Sequence, residues 1–437
     1  MAAVPAGQLL KRFVLVARQE GLWRAWVTGF GYLKRRMLGQ GASGLPSIPR
    51  HGPETAETYL HDIWQNFAQQ GAFHITAAPA VLQRRRRIAL IGDLNLPQCR
   101  KYRVEQLALF WRDRGVELEF SHYADVPRAT RILQNATHLM EYRLKSCAIT
   151  DMLRYEARRL RLPILYDLDD PLFSVSAYAT YGNMAALDPA LKRHFITEAP
   201  KYLSMMNGAD ILSVSTPGMV EHSAYYTPRP VYLRRNFADA ETLDAGTNAM
   251  ARRAPPDGIF RIAFASGSQG HEVDLAEIIA PLSDFILATP DRRLLALGHV
   301  DLAHFPAALH PRIEAVTFTR YPQYLAALAR ADCAVMPLCD DAFNQCKSAV
   351  RLLDAGAVGL PVIGSAVGDL PHVLRHGETG FVARSAQDWQ GALETLCKDK
   401  AGAGQMGQAA RKDMETHWRP SDQPHVISPE ILHWVQG

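Results

Sequence analysis

The chain has 437 residues, a net charge of +4, and 48% hydrophobic against 21% charged residues. That length suits two or three ordinary domains with ample core, the composition is that of a globular protein, and no apolar run nears the ~18 residues that a spanning helix requires. The six cysteines (99, 147, 333, 339, 346, 397) form no C-x-x-C pair and no zinc spacing, and the N-terminus lacks a secretory signal pattern. They read as reduced thiols of a cytosolic protein.

Residues 1–50 hold eight basic side chains against one acid, Glu20, so the remainder of the chain is slightly acidic. Leu22, Trp23, Trp26 and Phe30 lie among these charges, and Gly21, Gly29 and Gly31 divide the apolar positions. The pattern predicts two short amphipathic helices as an N-terminal extension. Basic residues interleaved with Trp, Phe and Leu suit the interface of an anionic membrane, with residues 8–38 as the contact. A helical pair packed on the body, or a basic contact for another protein, remains open. A nucleic-acid role is set aside, because no binding motif accompanies the charge. The Gly-, Ser- and Pro-rich stretch 39–53 is a linker.

A first domain is expected over 51–240. Residues 54–70 carry Tyr59, Ile63, Trp64 and Phe67 at helical spacing. Ile88–Gly92 is a continuous apolar run, the first strand of a parallel sheet, followed by a helix over Val104–Arg114 and a strand over Val116–Phe120. The loop Asp93–Arg100 then lies at the carboxyl end of that strand, with Arg100, Tyr102 and Arg103 crowded beside it. Such charge is usually solvated, but here it borders the place where ligands sit. Ile164–Leu168 runs into Asp167, Asp169 and Asp170 and stops at Pro171. Acids so close repel one another and need cations or hydrogen-bond donors. They could orient a substrate hydroxyl, cap the next helix or hold a divalent metal. A buried strand over 208–217 and the segment Val231–Phe237 end the domain, and the polar, Pro-containing stretch 238–258 reads as a hinge.

A second domain is expected over 258–415. Phe260–Ala265 is a strand entering Ser266, Gly267 and Ser268, whose small side chains let backbone N–H groups approach a phosphate. His271 and Asp274 precede a helix over Leu275–Ile286, and Tyr321 and Tyr324 precede another. Strands follow at 294–299 and 331–338. From Ala342 to Val382 the chain reads as polar loop, helix, Gly-Pro turn, buried strand Pro361–Gly364 and a second glycine turn. A helix starting near Asn344–Ser348 aims N–H groups and its positive dipole end at the crevice. Lys347 in its first turn opposes that dipole and makes better sense as a phosphate partner. Asp354 lies about two turns on, on nearly the same face, where it could meet ribose hydroxyls. The polar positions of a simple core helix would read the same way. Residues 416–437 form a tail with Trp418 and a helix over Ser428–Val435.

Asp354 followed by Ala355-Gly356-Ala357-Val358 and Gly359-Leu360-Pro361-Val362-Ile363 resembles the donor half of GT-B glycosyltransferases, above all the bacterial group 1 (family 4) retaining enzymes. Their pattern has a first carboxylate eight positions earlier, where this chain has Cys346. In its place stand Phe343-Asn344 and Lys347-Ser348, the Phe-Asn-x-x-Lys-Ser variant of one branch. Asn236 matches the family's Asn before the interdomain linker, with Arg235 where Pro is usual. Ser266-Gly267-x-x-x-His271 is similar to that branch's phosphate loop.

The resemblance implies an α/β protein of two Rossmann-like doubly wound domains facing across a cleft, with the tail crossing back to the first. It implies a retaining transferase that takes a UDP- or GDP-sugar and binds no metal or cofactor. Lys347 and the Ser348 amide would neutralise the diphosphate, Asp354 would hold the ribose, and Ser266, Gly267 and Ser268 would line the phosphate cleft. His271, Asp169 and Asp170 would face the transferred sugar and the acceptor, with Arg100, Tyr102 and Arg103 on the acceptor side. The acceptor would be a glycan or lipid-linked hydroxyl in bacterial surface polysaccharide or glycolipid synthesis, at the inner face of the cell membrane. A sugar-nucleotide epimerase and a degenerate scaffold in an assembly complex are the alternatives.

Overall fold

The computed structural model describes residues 85–267, 271–420 and 423–436, together with Val14, Ala17, Leu22, Trp23, Trp26, Gly29 and Phe30. The expected helix at 54–70 and the linker at 39–53 lie outside the described residues. The chain divides into two compact units, Met1–Ala68 and Gln69–Gly437. In the first unit all seven described residues are helical, and Leu22, Trp23, Trp26 and Phe30 expose their side chains. No helix among the described residues is long and apolar enough to cross a membrane.

Among the described residues, the second unit contains two six-stranded sheets in which every pairing is parallel. The first is built from β1 (Arg87–Gly92), β2 (Glu117–His122), β3 (His138–Tyr142), β4 (Ile164–Leu168), β5 (Ile211–Val214) and β6 (Val231–Leu233), in the order β2-β1-β3-β4-β5-β6. The second comprises β7 (Phe260–Ser266), β8 (Arg292–Gly298), β9 (Ile313–Val316), β10 (Cys333–Met336), β11 (Val362–Ser365) and β12 (Gly380–Ala383), in the order β12-β11-β10-β7-β8-β9. Both are doubly wound. The strand order reverses between β1 and β3 in one lobe and between β7 and β10 in the other, and a crevice at the carboxyl ends of those strands is where such sheets take ligands.

Alternation along the strands divides the core into layers. Ile88 and Leu90 of β1 join a cluster that also holds Ala263, Leu295, Leu352 and Trp418, so one apolar layer serves both lobes. Ala89 and Ile91 face the opposite layer, with Ile132, Leu153 and Tyr166. In the second lobe Ile262 and Phe264 pack outward against Leu282, Phe285 and Trp389. Period-two burial on both faces is what a sheet covered by helices on both sides produces.

Four expectations change. The helix after β1 begins at Pro97 rather than Val104, running Pro97–Arg100, a π-helical turn Lys101–Glu105 and Gln106–Arg112 without a break. The stretch read as a hinge contains a helix, Ala240–Ala251, capped by the Asp239 side chain and burying Leu243 and Ala249. The helix expected at Leu275–Ile286 is two, Glu272–Ala276 and Ile279–Leu287. Tyr321 and Tyr324 lie inside the helix Tyr321–Leu328 instead of before it. At the end of the chain, Ala238 N–H bonds the Trp418 carbonyl, Arg235 N–H the Val426 carbonyl and Ser428 N–H the Leu233 carbonyl. The helix Pro429–Gln436 thereby reaches the first sheet, with Trp434 against His138 of β3.

Candidate active site

After β10 the chain does not enter a helix at once. Asp341 accepts the backbone N–H groups of Phe343 (2.9 Å) and Asn344 (2.8 Å), closing a single 3-10 turn over Asn344–Cys346. Lys347 is extended, and the α-helix starts only at Val350 and ends at Ala357. Lys347 is therefore not in a first helical turn, and the dipole argument for it does not apply. Its backbone is held by the Asp369 N–H. Gly368 passes so close that a Cβ there would lie 2.6 Å from the Asn344 carbonyl oxygen, at a φ of +63° that suits glycine.

The Lys347 amine crosses to the first lobe, 3.3 Å from Asp170, above the rings of Phe343 and Tyr181 at 5.0 and 5.7 Å. Burial lowers its pKa, but Asp170 outweighs this and keeps the amine firmly charged. Burial raises Asp170 in turn, and Lys347 and Arg143 bring it below the usual carboxylate range.

The three acids after β4 have separate fates. Asp167 is buried under Arg103 and Arg234 and accepts a bond from Ser213; the two guanidinium groups overcome its desolvation and hold it ionised. Asp169 accepts from the Tyr142 hydroxyl at 2.9 Å and from Arg143 at 3.3 Å. Asp170 takes Lys347, with Arg143 at 3.6 Å. None of them caps the next helix, because Ser174 does so for Val175–Thr180. Among the described residues no group of three or more His, Cys, Asp or Glu is placed to hold a metal ion.

In the second lobe, Ser266 is buried at the end of β7 and Gly267 is exposed beside it, with the Gln98 amide of the first lobe 3.5 Å from the Gly267 carbonyl. Ser268 lies outside the described residues. His271 bonds Asp274 through Nδ1 at 2.9 Å, and burial lowers the ring's pKa. Ser348 accepts from the Asn236 amide at 3.2 Å. Asp354 is buried, and its Oδ1 accepts both the Tyr102 hydroxyl from the first lobe and the Tyr321 hydroxyl, each at 2.6 Å. Burial pushes this carboxyl up to about 6 against the pull of those hydroxyls.

The acceptor-side trio disperses. Arg100 pairs with Glu105 at 2.7 Å, Tyr102 clasps Asp354, and Arg103 is only 1% exposed, locked to Asp167 and to the Arg234 carbonyl. A guanidinium so enclosed has no face left for a substrate, whereas the Arg100 side chain is partly exposed.

Two residues that sequence reasoning passed over belong to the site. Arg143, at the carboxyl end of β3, has a left-handed φ of 51° and faces both Asp169 and Asp170. Such a conformation costs energy in a non-glycine residue and clusters at functional sites. Arg351 reaches the Ala265 carbonyl at 2.8 Å, beside the small-residue loop. Its only sequence signal is its place one turn before Asp354, on the same helical face.

Two facing doubly wound lobes with the tail returned to the first define the GT-B glycosyltransferase fold. Residues 268–399 match the family described as glycosyl transferases group 1. The chain thus has the GT-B fold, and its second lobe is the part similar to the group 1 family. It is 29% identical over 232 residues to D-inositol 3-phosphate glycosyltransferase of Corynebacterium aurimucosum, covering 47% of this chain and 53% of that one. Over 71 residues it is 37% identical to N-acetyl-alpha-D-glucosaminyl L-malate synthase of Bacillus anthracis, 16% of this chain and 18% of that one. The chain thus spans about half the length of the first of these curated relatives, and less of the other. Among solved structures it resembles sucrose-phosphate synthase from Thermosynechococcus elongatus (TM-score 0.53, 16% identity, 80% of this chain and 98% of that one). It also resembles WaaG, a glycosyltransferase involved in lipopolysaccharide biosynthesis (0.51, 13%, 80% and 100%), and HepE of Anabaena in complex with UDP-glucose (0.50, 12%, 79% and 98%).

Proposed function

We propose that this chain is a glycosyltransferase that moves a sugar from a nucleotide diphosphate to a hydroxyl of a glycan or lipid-linked acceptor, with retention at the anomeric carbon. The observation that carries the reading is the Lys347–Asp170 pair across the lobe boundary, with Arg351 and the Ser266–Gly267 turn on the donor side. A diphosphate entering there exchanges places with Asp170 on the Lys347 amine, while Arg143 keeps the released carboxylate paired. The anomeric carbon–oxygen bond to the diphosphate breaks, the acceptor oxygen takes that carbon on the same face, and the acceptor's hydroxyl proton passes to the departing diphosphate oxygen. Lys347, Arg351 and the Ser348 amide then stabilise charge on the departing group, the largest contribution such a site can make.

In this reading Asp354 takes the ribose hydroxyls in place of the Tyr102 hydroxyl, and the donor is a UDP- or GDP-sugar. HepE in complex with UDP-glucose supports the first base through its shared fold. His271, Asp169 and Asp170 face the sugar and the acceptor. The inositol phosphate glycosyltransferase relatives, and WaaG with its part in lipopolysaccharide biosynthesis, support a role in bacterial surface glycolipid or polysaccharide synthesis. The exposed Leu22, Trp23, Trp26 and Phe30, set among basic residues, support peripheral attachment to the anionic inner face of the cell membrane.

Lys347→Met tests the reading in a radiolabelled-sugar transfer assay. The expected result is a loss of kcat/KM of about 10²–10³ with an unchanged circular dichroism spectrum. Near-normal turnover in the variant would end the proposal. Formation of an isomeric nucleotide sugar without any acceptor would mark an epimerase instead.

A further inference from the structure

Asp274 is fully buried at the junction of the two lobes, and both its oxygens are taken. Oδ1 accepts the Cys339 backbone N–H at 3.1 Å and the Asn344 amide at 3.0 Å. Oδ2 accepts His271 Nδ1 at 2.9 Å and the Asn183 amide at 2.7 Å. Three of these four donors belong to the second lobe. Asn183 alone comes from the first, on the turn Gly182–Ala186. That turn is fixed across the boundary twice more, by the Gly182 N–H on Asp341 at 3.2 Å and by Tyr181 stacked on Phe343 at 4.1 Å between centroids.

A carboxylate with four donors stays ionised and can only accept; its pKa is drawn down to about 2, with burial opposing and His271 foremost among the groups that lower it. The histidine must therefore carry its proton on Nδ1, and a neutral ring then presents Nε2 as a lone pair. Burial holds the ring's pKa down, as do the cations Arg351 and Lys347, while the Asp274 carboxylate pulls it the other way and Asp170 of the first lobe also interacts with the ring.

We infer that Asp274 is a positioning residue that fixes the Nδ1–H tautomer of His271, and that Asn183 ties this arrangement to the lobe junction. His271 can then accept a hydrogen bond or a proton from a substrate hydroxyl only through Nε2. The catalytic consequence rests on the glycosyltransferase reading above, whereas the tautomer does not. The second-lobe helix and the first-lobe turn are distant in sequence, so the junction is a property of the closed arrangement of the two lobes.

The test uses the full chain with 15N-labelled histidine. The wild-type His271 ring is expected to show the Nδ1–H pattern. Asp274→Asn is expected to shift it toward Nε2–H and to lower kcat by about 100-fold, the low end of what a positioned acid–base group contributes, with donor KM within about twofold. Asn183→Ala leaves Asp274 its own lobe's donors, so it should keep the tautomer while lowering kcat about tenfold, a smaller loss than that of the carboxylate. An Nε2–H ring in the wild type would overturn the inference, and this result needs no variant to fold. Full kcat in Asn183→Ala would remove the interlobe part. Absence of transfer with every donor tried would count against the enzyme reading and leave the tautomer result standing.

Discussion

Asp354→Asn separates the energetic cost of the site from its use. Asp354 is 4% exposed and accepts two phenol hydroxyls on one oxygen, one from each lobe. Burial raises its carboxyl from an ordinary 3.8 to about 6, although Tyr102, Tyr321 and Lys101 all favour the anion. The folded protein therefore holds this proton more tightly than the unfolded chain. Its contribution to stability is complete below about pH 4 and lost as pH rises through 6, a difference of about 3 kcal/mol at 1.36 kcal/mol per pH unit. An asparagine in the same place keeps an oxygen for both phenols and carries no charge. Urea unfolding across pH 4–8 should find the variant no more stable than the wild type at the acid end, and up to about 3 kcal/mol more stable by pH 8. Nucleotide affinity should fall in the same protein, since a neutral amide is a poorer acceptor for ribose hydroxyls. A stability difference that is flat with pH, or a variant less stable at pH 8, would show that burial does not hold the Asp354 proton.

Asp167→Ala should cost about 3–5 kcal/mol, because it strands the Arg103 and Arg234 guanidinium groups in the first lobe; a thermal midpoint within a degree of wild type would contradict that. Replacing Trp23 and Trp26 together by Ala should abolish pelleting with vesicles containing anionic lipid while leaving transfer to a soluble acceptor intact. Unchanged pelleting would move the exposed aromatic face to another partner.

Much of the scaffold was legible because buried parallel strands are written as unbroken apolar runs. Ile88–Ile91, Ile164–Leu168 and Val362–Ile363 all read directly, and each stands as a strand. Helices with mixed faces were harder. Ala240–Ala251 hides among polar and small residues, with Leu243 and Ala249 on its buried side. The delayed start of the helix at Val350 depends on the Asp341 carboxylate closing the preceding turn, a local competition that hydrophobic spacing cannot register. Charges were the least legible feature. Arg103 and Asp167 are 64 residues apart, Lys347 and its partner Asp170 lie in different lobes, and sequence shows a charge without showing what neutralises it. Lys347 stands out in the sequence as a cation in an expected first helical turn, and in the structure it pairs across the lobes with Asp170.

In the proposed function, Lys347, Arg351 and the Ser266–Gly267 turn together form a diphosphate site. Calorimetric titration of the full chain with UDP and with GDP tests it without any assumption about sugar or acceptor. The wild type is expected to bind at least one of them, weakened about 10–100-fold in Lys347→Met, which is what a charge-assisted contact contributes. Equal affinity in the two proteins, or no heat from either nucleotide in the wild type, would contradict it.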